Sequence, residues 1–268
     1  MASPQLSVVL ATYNEVDNLA RCLESVRSLA DEVIVVDGSS TDHTRAIARQ
    51  FEAKVFKVKN LPMFHTNKQL ALNYATGDWV LQLDADEVVD QELKQSITQI
   101  LKGYSLSKQG VSLKAINAFY LKRKNFFLGH WLTKGGQYPD PVIRLFRRGF
   151  GSFPQVSVHE QIHTIGSVAT LPGHLLHYTA PTFSRYLTNS NRYTSLTAHQ
   201  LADHHITLNL FSLINYCCLK PVTTFLSIYF RHKGFVDGLP GFIFALFSGL
   251  HWLVAYLKYW ELTLNQKS

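Results

Sequence analysis

Asp84, Asp86 and Glu87 end the apolar run Trp79-Val80-Leu81-Gln82-Leu83 with three carboxylates in four residues. Successive side chains of an extended chain alternate faces, so Asp84 and Asp86 are expected to point the same way. Two carboxylates about 4 Å apart repel by roughly 4 kcal/mol at an effective dielectric of 20, so a cation is expected beside them. A divalent ion with oxygen ligands, shared with a phosphate, answers that need. The same residues also read as a strand end running into an acidic helix start, with Asp86, Glu87 and Asp90 near a positive helix N-terminus. Two more polar clusters follow apolar runs: Thr12-Tyr13-Asn14-Glu15 and Asp37-Gly38-Ser39-Ser40-Thr41-Asp42.

The elements that must position these clusters alternate. Short strand-like runs are expected at 6–11, 33–36, 54–58 and 79–83, and helical stretches from Leu19, after Asp42, over 64–74 and over 91–101. The second helix is expected to turn Ala46, Ile47 and Phe51 inward, with Thr41 or Asp42 as its cap. Strands that are apolar throughout and separated by helices predict an α/β fold, a mostly parallel sheet with helices on both faces. Such sheets bind ligands beyond the carboxyl ends of their strands, where all three clusters stand. No GxGxxG and no GxxxxGK[ST] is present, so neither a dinucleotide fingerprint nor a P-loop accounts for them.

Charge is unevenly spread. Residues 1–100 carry 9 Lys/Arg against 14 Asp/Glu, a net of −5; residues 101–268 carry 17 against 5, a net of +12. A basic second part implies an anionic partner there, such as phosphate or lipid headgroup; no recognised fold motif supports nucleic acid. Cys22, Cys217 and Cys218 form no disulfide framework, which fits a reducing cytoplasm. Met1–Gln5 leads into the first strand without the pattern of a signal peptide, so the first part is expected to stay in the cytoplasm.

The three clusters, in order and at these spacings, resemble family 2 glycosyltransferases of the GT-A fold. The resemblance implies that Thr12, Tyr13, Asn14 and Glu15, with Asp37, hold the base and ribose of a nucleotide-sugar, a UDP-sugar first. Asp84, Ala85 and Asp86 stand at the family's DxD positions, where Asp84 and Asp86 touch ribose and a Mg²⁺ or Mn²⁺ on the pyrophosphate. Lys68 would be a further cation facing the nucleotide; it reads equally as a solvated helix lysine.

After a loose stretch at 103–110, Ala115–Phe127 alternates as a strand, and Val142–Arg148 follows Pro139-Asp140-Pro141. Arg144, flanked by apolar residues, is hard to bury unpaired, which makes it a candidate clamp for a phosphate or a catalytic carboxylate. His159-Glu160-Gln161-Ile162-His163 matches HExxH, but its flanks are β-branched and glycine-interrupted where a zinc hydrolase needs a helix. Arg144-Leu145-Phe146-Arg147, Val158-His159-Glu160 and Gly173–Tyr178 are similar to the lipopolysaccharide core β-1,4-glucosyltransferases and their bacterial relatives. That likeness makes Glu160 the general base of an inverting transfer to a glycolipid or lipopolysaccharide-core acceptor. Many members place the Asp of a Glu-Asp pair there instead, and Glu160 also reads as an ion-pair partner of Arg144 or Arg147. His174 and His177 are possible pocket residues, and the cluster His199, Asp203, His204, His205 reads as a solvated face.

Ile206–Phe230 and Leu239–Leu257 are strongly apolar, the second long enough to span a bilayer core. Gly241, Ala245 and Ser248 form a stripe suited to close helix packing, and Phe242, Phe244, Phe247, Trp252, Tyr256, Tyr259 and Trp260 supply interface-seeking aromatics. The expected organisation is a catalytic domain over 1–180 and a helical, membrane-associating region over 181–268. Its place would be the cytoplasmic face of the inner membrane, peripheral or monotopic, with one or two spanning helices as the alternative. A non-catalytic, membrane-associated nucleotide-sugar-binding protein is the competing class.

Overall fold

The computed structural model of the chain describes residues 5–61, 64–103, 115–154 and 161–265. It falls into two compact units, residues 1–123 with 140–177, and residues 124–139 with 178–268.

The first unit opens with β1 (Leu6–Thr12), α1 (Leu19–Val26), β2 (Glu32–Asp37), α2 (Thr44–Gln50), β3 (Lys54–Lys57), α3 (Phe64–Tyr74) and β4 (Trp79–Leu83). After β5 (Glu87–Val89) and α4 (Gln91–Leu101) come β6 (Ile116–Phe127), β7 (His130–Trp131), β8 (Asp140–Arg147), β9 (Gly151–Ser152), β10 (His163–Thr164) and β11 (Ser167–Ala180). Strand order in the main sheet is β3-β2-β1-β4-β8-β6-β11-β5. The first four are mutually parallel, and β8 turns the sheet antiparallel by pairing with β4 and β6. Winding therefore reverses at β1, where β2 lies on one side and β4 on the other.

Both faces are covered, as continuous apolar strands require. Val8, Leu10, Leu81 and Leu83 pack with Leu19, Leu23, Leu93 and Ile97 on one face. Val9, Ile34, Val36 and Val80 meet Ala71 and Leu72 on the other. Helix α2 turns Thr44 and Ala48 inward with Ile47 and Phe51 against them, while Ala46 is exposed. The reason is its start at Thr44, whose amide is taken by Asp42 Oδ1 at 2.9 Å. At the amino ends of the strands, buried Glu32 accepts from Ser7 Oγ, from Thr76 N at 2.8 Å and from Lys54 Nζ at 2.8 Å. Burial would raise its pKa, but these donors push it down to about 2.

The second unit holds β7, α5 (Phe183–Asp203), α6 (Leu210–Ile214), α7 (Lys220–Leu226) and α8 (Gly238–Asn265), with π-helical turns at Asn215–Leu219 and Ser227–Arg231. Thr182 caps α5 by accepting from Arg185 N. Close packing of α8 uses small residues: a Cβ on Gly249 would stand 2.5 Å from the Pro221 carbonyl oxygen, and Ala245 is fully buried. Tyr256 and Tyr259 are buried in the unit, whereas Phe242 and Trp260 face outward, so the aromatics divide between core and surface. Two helical stretches, Leu210–Arg231 and Gly234–Leu264, are long and apolar enough to cross a membrane.

Candidate active site

The register of the parallel strands brings the polar clusters to one rim. Thr12 stands level with Asp37, and Leu10 is level with Leu83, one residue before Asp84. With strands about 4.8 Å apart, Asp37 and Asp84 lie roughly 10 Å from each other across β1.

On one side of β1 the two loops are stitched together. Asp37 is wholly buried and accepts from Thr12 Oγ1 at 3.2 Å and Ser40 N at 2.9 Å, with Arg45 Nε at 3.5 Å. Asn14, at φ 54°, accepts from Thr41 N at 2.8 Å and donates its own amide to Ser40 Oγ at 2.9 Å. Asparagine tolerates that left-handed conformation, which explains its use at the turn. The Glu15 amide donates to Thr44 Oγ1, while Tyr13 projects outward at 46% exposure.

On the other side the acidic stretch does not run on extended. Glu87 N donates to the Asp84 carbonyl at 3.0 Å, closing a turn, and the Glu87 carboxylate returns to accept from Asp84 N at 2.9 Å. Alternation of side chains therefore does not govern Asp84 and Asp86, and each has its own partners. Asp84 Oδ2 accepts from Arg144 Nη2 at 2.7 Å, and Oδ1 is paired with Lys68 Nζ. The cations expected beside the carboxylates are thus two of the protein's own side chains. Burial would raise the Asp84 pKa, yet Arg144 and Lys68 hold it well below the usual carboxylate range.

Arg144 is itself buried, bonded to Gln82, Asp84 and Glu87, with its Nε lacking a hydrogen-bond partner. Glu87, fully buried, is braced from a second side by Arg123 at 3.6 Å, which pairs in turn with Asp140 at 2.7 Å. Beneath this network Cys22 Sγ approaches the Asp84 carbonyl at 3.6 Å. Burial, with the nearby Glu87, Asp86 and Asp84 charges, pushes that thiol up, so Cys22 is a protonated packing residue. Ala85 is buried beside it.

Asp86 takes a different partner. Strand β11 pairs antiparallel with β5, His177 opposite Glu87, and His177 Nε2 lies 3.4 Å from Asp86 Oδ2. Burial raises and His177 lowers the Asp86 pKa, with a net fall. The adjoining contact is His174 Nδ1 with Asp90 Oδ2 at 3.0 Å, and Asp90 also caps α4 by accepting from Leu93 N. Gly173, at φ +88°, permits this passage, because a Cβ there would stand 2.1 Å from Leu93 N.

Of the sequence candidates, Thr12–Glu15, Asp37, Lys68, Asp84–Asp86 and Arg144 all come to this rim. His159 and Glu160 lie outside the described residues, and His163 lies in β10, opposite Ser152. Gln82 and Glu87, which hold Arg144, lie inside the acidic stretch but were given no site role; their signal was polarity inside an apolar strand and at its close. Among the described residues no three His, Cys, Asp or Glu side chains gather as a metal site.

The chain's residues 7–150 match the family model described as Glycosyl transferase family 2. An uncharacterized glycosyltransferase of Rickettsia typhi is 28% identical, over 98% of this chain and 89% of its own length. The lipopolysaccharide core biosynthesis glycosyltransferase LpsC of Rhizobium meliloti is 27% identical, over 96% of this chain and 92% of its own. Among solved structures, mannosyltransferase PcManGT of Pyrobaculum calidifontis, in complex with GDP-Man and Mn²⁺, superposes with a TM-score of 0.53 at 14% identity, covering 97% of this chain and 88% of that one. That likeness shows the shared GT-A fold. The family match extends over more than half of the sequence and contains the three polar clusters at the ends of β1, β2 and β4, so the chain belongs to glycosyltransferase family 2 and transfers a sugar from a nucleotide-sugar donor.

Proposed function

We propose that this enzyme is an inverting hexosyltransferase that moves a sugar from a UDP-sugar to a lipid-linked or lipopolysaccharide-core acceptor at the cytoplasmic face of the inner membrane. The observation that carries the site assignment is the separation of the two DxD carboxylates, Asp84 onto Lys68 and Arg144, Asp86 onto His177. The similarity to LpsC over nearly the whole chain supports the acceptor class.

A divalent ion fits Asp86 and His177. The Asp86 carboxylate and the His177 imidazole, 3.4 Å apart, are an oxygen and a nitrogen donor that would hold the ion beside the diphosphate. Asp84 leaves the ligand set in this reading, because both its oxygens already carry cations. When bound, Mg²⁺ or Mn²⁺ supplies positive charge against that growing on the departing diphosphate.

The Thr12–Glu15 loop, ordered by Asp37 beneath it, receives the base and ribose. Tyr13 offers its ring to the base. Lys68 and Arg144 keep Asp84 ionised and fixed, which leaves the rim preorganised before the donor binds. Glu160 accepts the proton of the acceptor hydroxyl as that oxygen bonds to the anomeric carbon and the bond to the diphosphate breaks. One displacement inverts the anomeric centre.

Turnover of UDP-, GDP- and dTDP-sugars by the purified chain, with and without Mn²⁺, tests the reading. UDP-sugar consumption that requires Mn²⁺ and a core-type acceptor is expected. Equal use of GDP-sugars, or turnover unaffected by chelation, would overturn the donor or metal assignment.

A further inference from the structure

The C-terminal unit shows how it meets a bilayer. Leu239, Phe242, Leu246, Leu257, Trp260 and Leu264 are all exposed, at spacings of three, four and eleven (about three turns), so α8 carries one outward apolar stripe. At 1.5 Å per residue the stripe is about 38 Å long. Its opposite side is occupied: Phe247 rings meet Phe183 at 5.1 Å and Tyr186 at 5.9 Å, and Thr197 Oγ1 lies 3.0 Å from His251 Nε2. Lys258 Nζ donates to Asn191 O at 2.7 Å and to Thr194 Oγ1 and Ser195 Oγ at 2.8 Å each. Helix α5 thus accompanies α8 from Phe247 to Lys258.

That companion carries Arg185, Asn191, Arg192 and His199 on exposed positions, interspersed with exposed Phe183, Leu187 and Tyr193. Were α8 to cross the membrane, α5 would be drawn to the same depth, where each arginine costs about 2.5–3.5 kcal/mol. The stretch Leu210–Arg231 has Lys220 at its centre, its ammonium 4.0 Å from the Tyr216 ring and 4.2 Å from Trp252. The turn between the two stretches holds Arg231, His232 and Lys233, which a membrane hairpin would have to translocate. The unit as a whole carries 9 Lys/Arg against 3 Asp/Glu, a net of +6.

We infer that neither long apolar helix spans the bilayer: the C-terminal unit is a one-leaflet anchor, the α8 stripe seated at the headgroup–acyl boundary of an anionic phospholipid surface and α5 in water. Burial of the stripe provides the holding energy and the net charge provides the preference for anionic lipid. The inference rests on the membrane location proposed above and specifies its geometry.

The test uses the full chain with Cys22, Cys217 and Cys218 replaced by serine. Flotation on phosphatidylcholine vesicles is compared with flotation on vesicles holding about one-third phosphatidylglycerol; at least about tenfold tighter binding to the anionic vesicles is expected, weakening in high salt. Phe242→Ser with Leu246→Ser should reduce that binding by about tenfold or more. In spheroplasts of a Gram-negative host, Val236→Cys, exposed at the start of the second stretch, should resist a membrane-impermeant maleimide added outside and react after lysis. Reaction in intact spheroplasts would overturn the one-leaflet arrangement while leaving the membrane location standing. Absence of binding to either vesicle, with a dimer that Leu246→Ser dissociates, would overturn both and make the stripe a subunit interface.

Discussion

At the level of single residues, the fold gives the two carboxylates of the DxD spacing different partners. Asp84 pairs with Lys68 and Arg144, whereas Asp86 pairs with His177, the pair proposed above to hold the metal. Asp86→Asn should therefore lower kcat by at least about 100-fold with little change in thermal midpoint, since a charge acting on the transition state is worth several kcal/mol. His177→Ala should raise the Mn²⁺ concentration for half-maximal turnover at least about tenfold, the loss that even indirect metal partners cause. An unchanged Mn²⁺ titration would return His177 to a packing role. Arg144→Met leaves Glu87 and Asp84 without their common partner, so a loss of about 3–5 kcal/mol is expected in denaturant unfolding. Arg144→Lys should not restore it, because one ammonium cannot reach Gln82, Asp84 and Glu87 together. Glu160→Gln should abolish transfer while donor binding, read by thermal shift, persists.

Elements hold the rim from below and from the side. The amino ends of β1, β2 and the Thr76 turn meet on Glu32, whose folded pKa of about 2 lies below its ordinary 4.5. The stabilisation is complete above about pH 4.5 and is lost as pH falls towards 2; a shift of this size corresponds to on the order of 3 kcal/mol. Glu32→Gln should lower stability at pH 7 and flatten the acid limb of the stability–pH curve between those values. At the side, β11 reaches Asp86 only because Gly173 lets it pass the first turn of α4. Gly173→Ala places a Cβ in contact with backbone at a φ that favours glycine, and unfolding experiments should show a loss of about 2 kcal/mol or more. That variant should also weaken the Mn²⁺ response, since His177 follows on the same strand.

Across the whole molecule, charge and apolar surface concentrate in one unit. The C-terminal unit has a net charge of +6 and the remainder +1, although the linear halves had suggested −5 and +12. Strand residues of the middle of the sequence, such as Arg123 and Arg144, belong to the first unit and pair with its carboxylates. The exposed residues of the α8 stripe form a contiguous apolar surface of the kind that marks an interaction site. The purified chain should therefore scatter light as oligomers in plain buffer and become monodisperse in non-ionic detergent, with donor turnover retained.

Much of this was legible in the residues. Continuous apolar runs bounded by polar clusters located β1, β2 and β4, and α3 and α4 fell on the stretches 64–74 and 91–101 that periodicity marked out. Local chemistry suffices there, because strand and helix periods and turn residues act within a few positions. The three strand-end clusters likewise announced a shared rim, since a parallel sheet has only one carboxyl edge. What the linear pattern left open were pairings over long separations: Arg144 with Asp84 and Glu87, His177 with Asp86, and α5 alongside α8. Those depend on the register of β8 and β11 and on helix packing, which no local period encodes. Only the folded chain decides which cations neutralise Asp84 and which side chain stands beside Asp86.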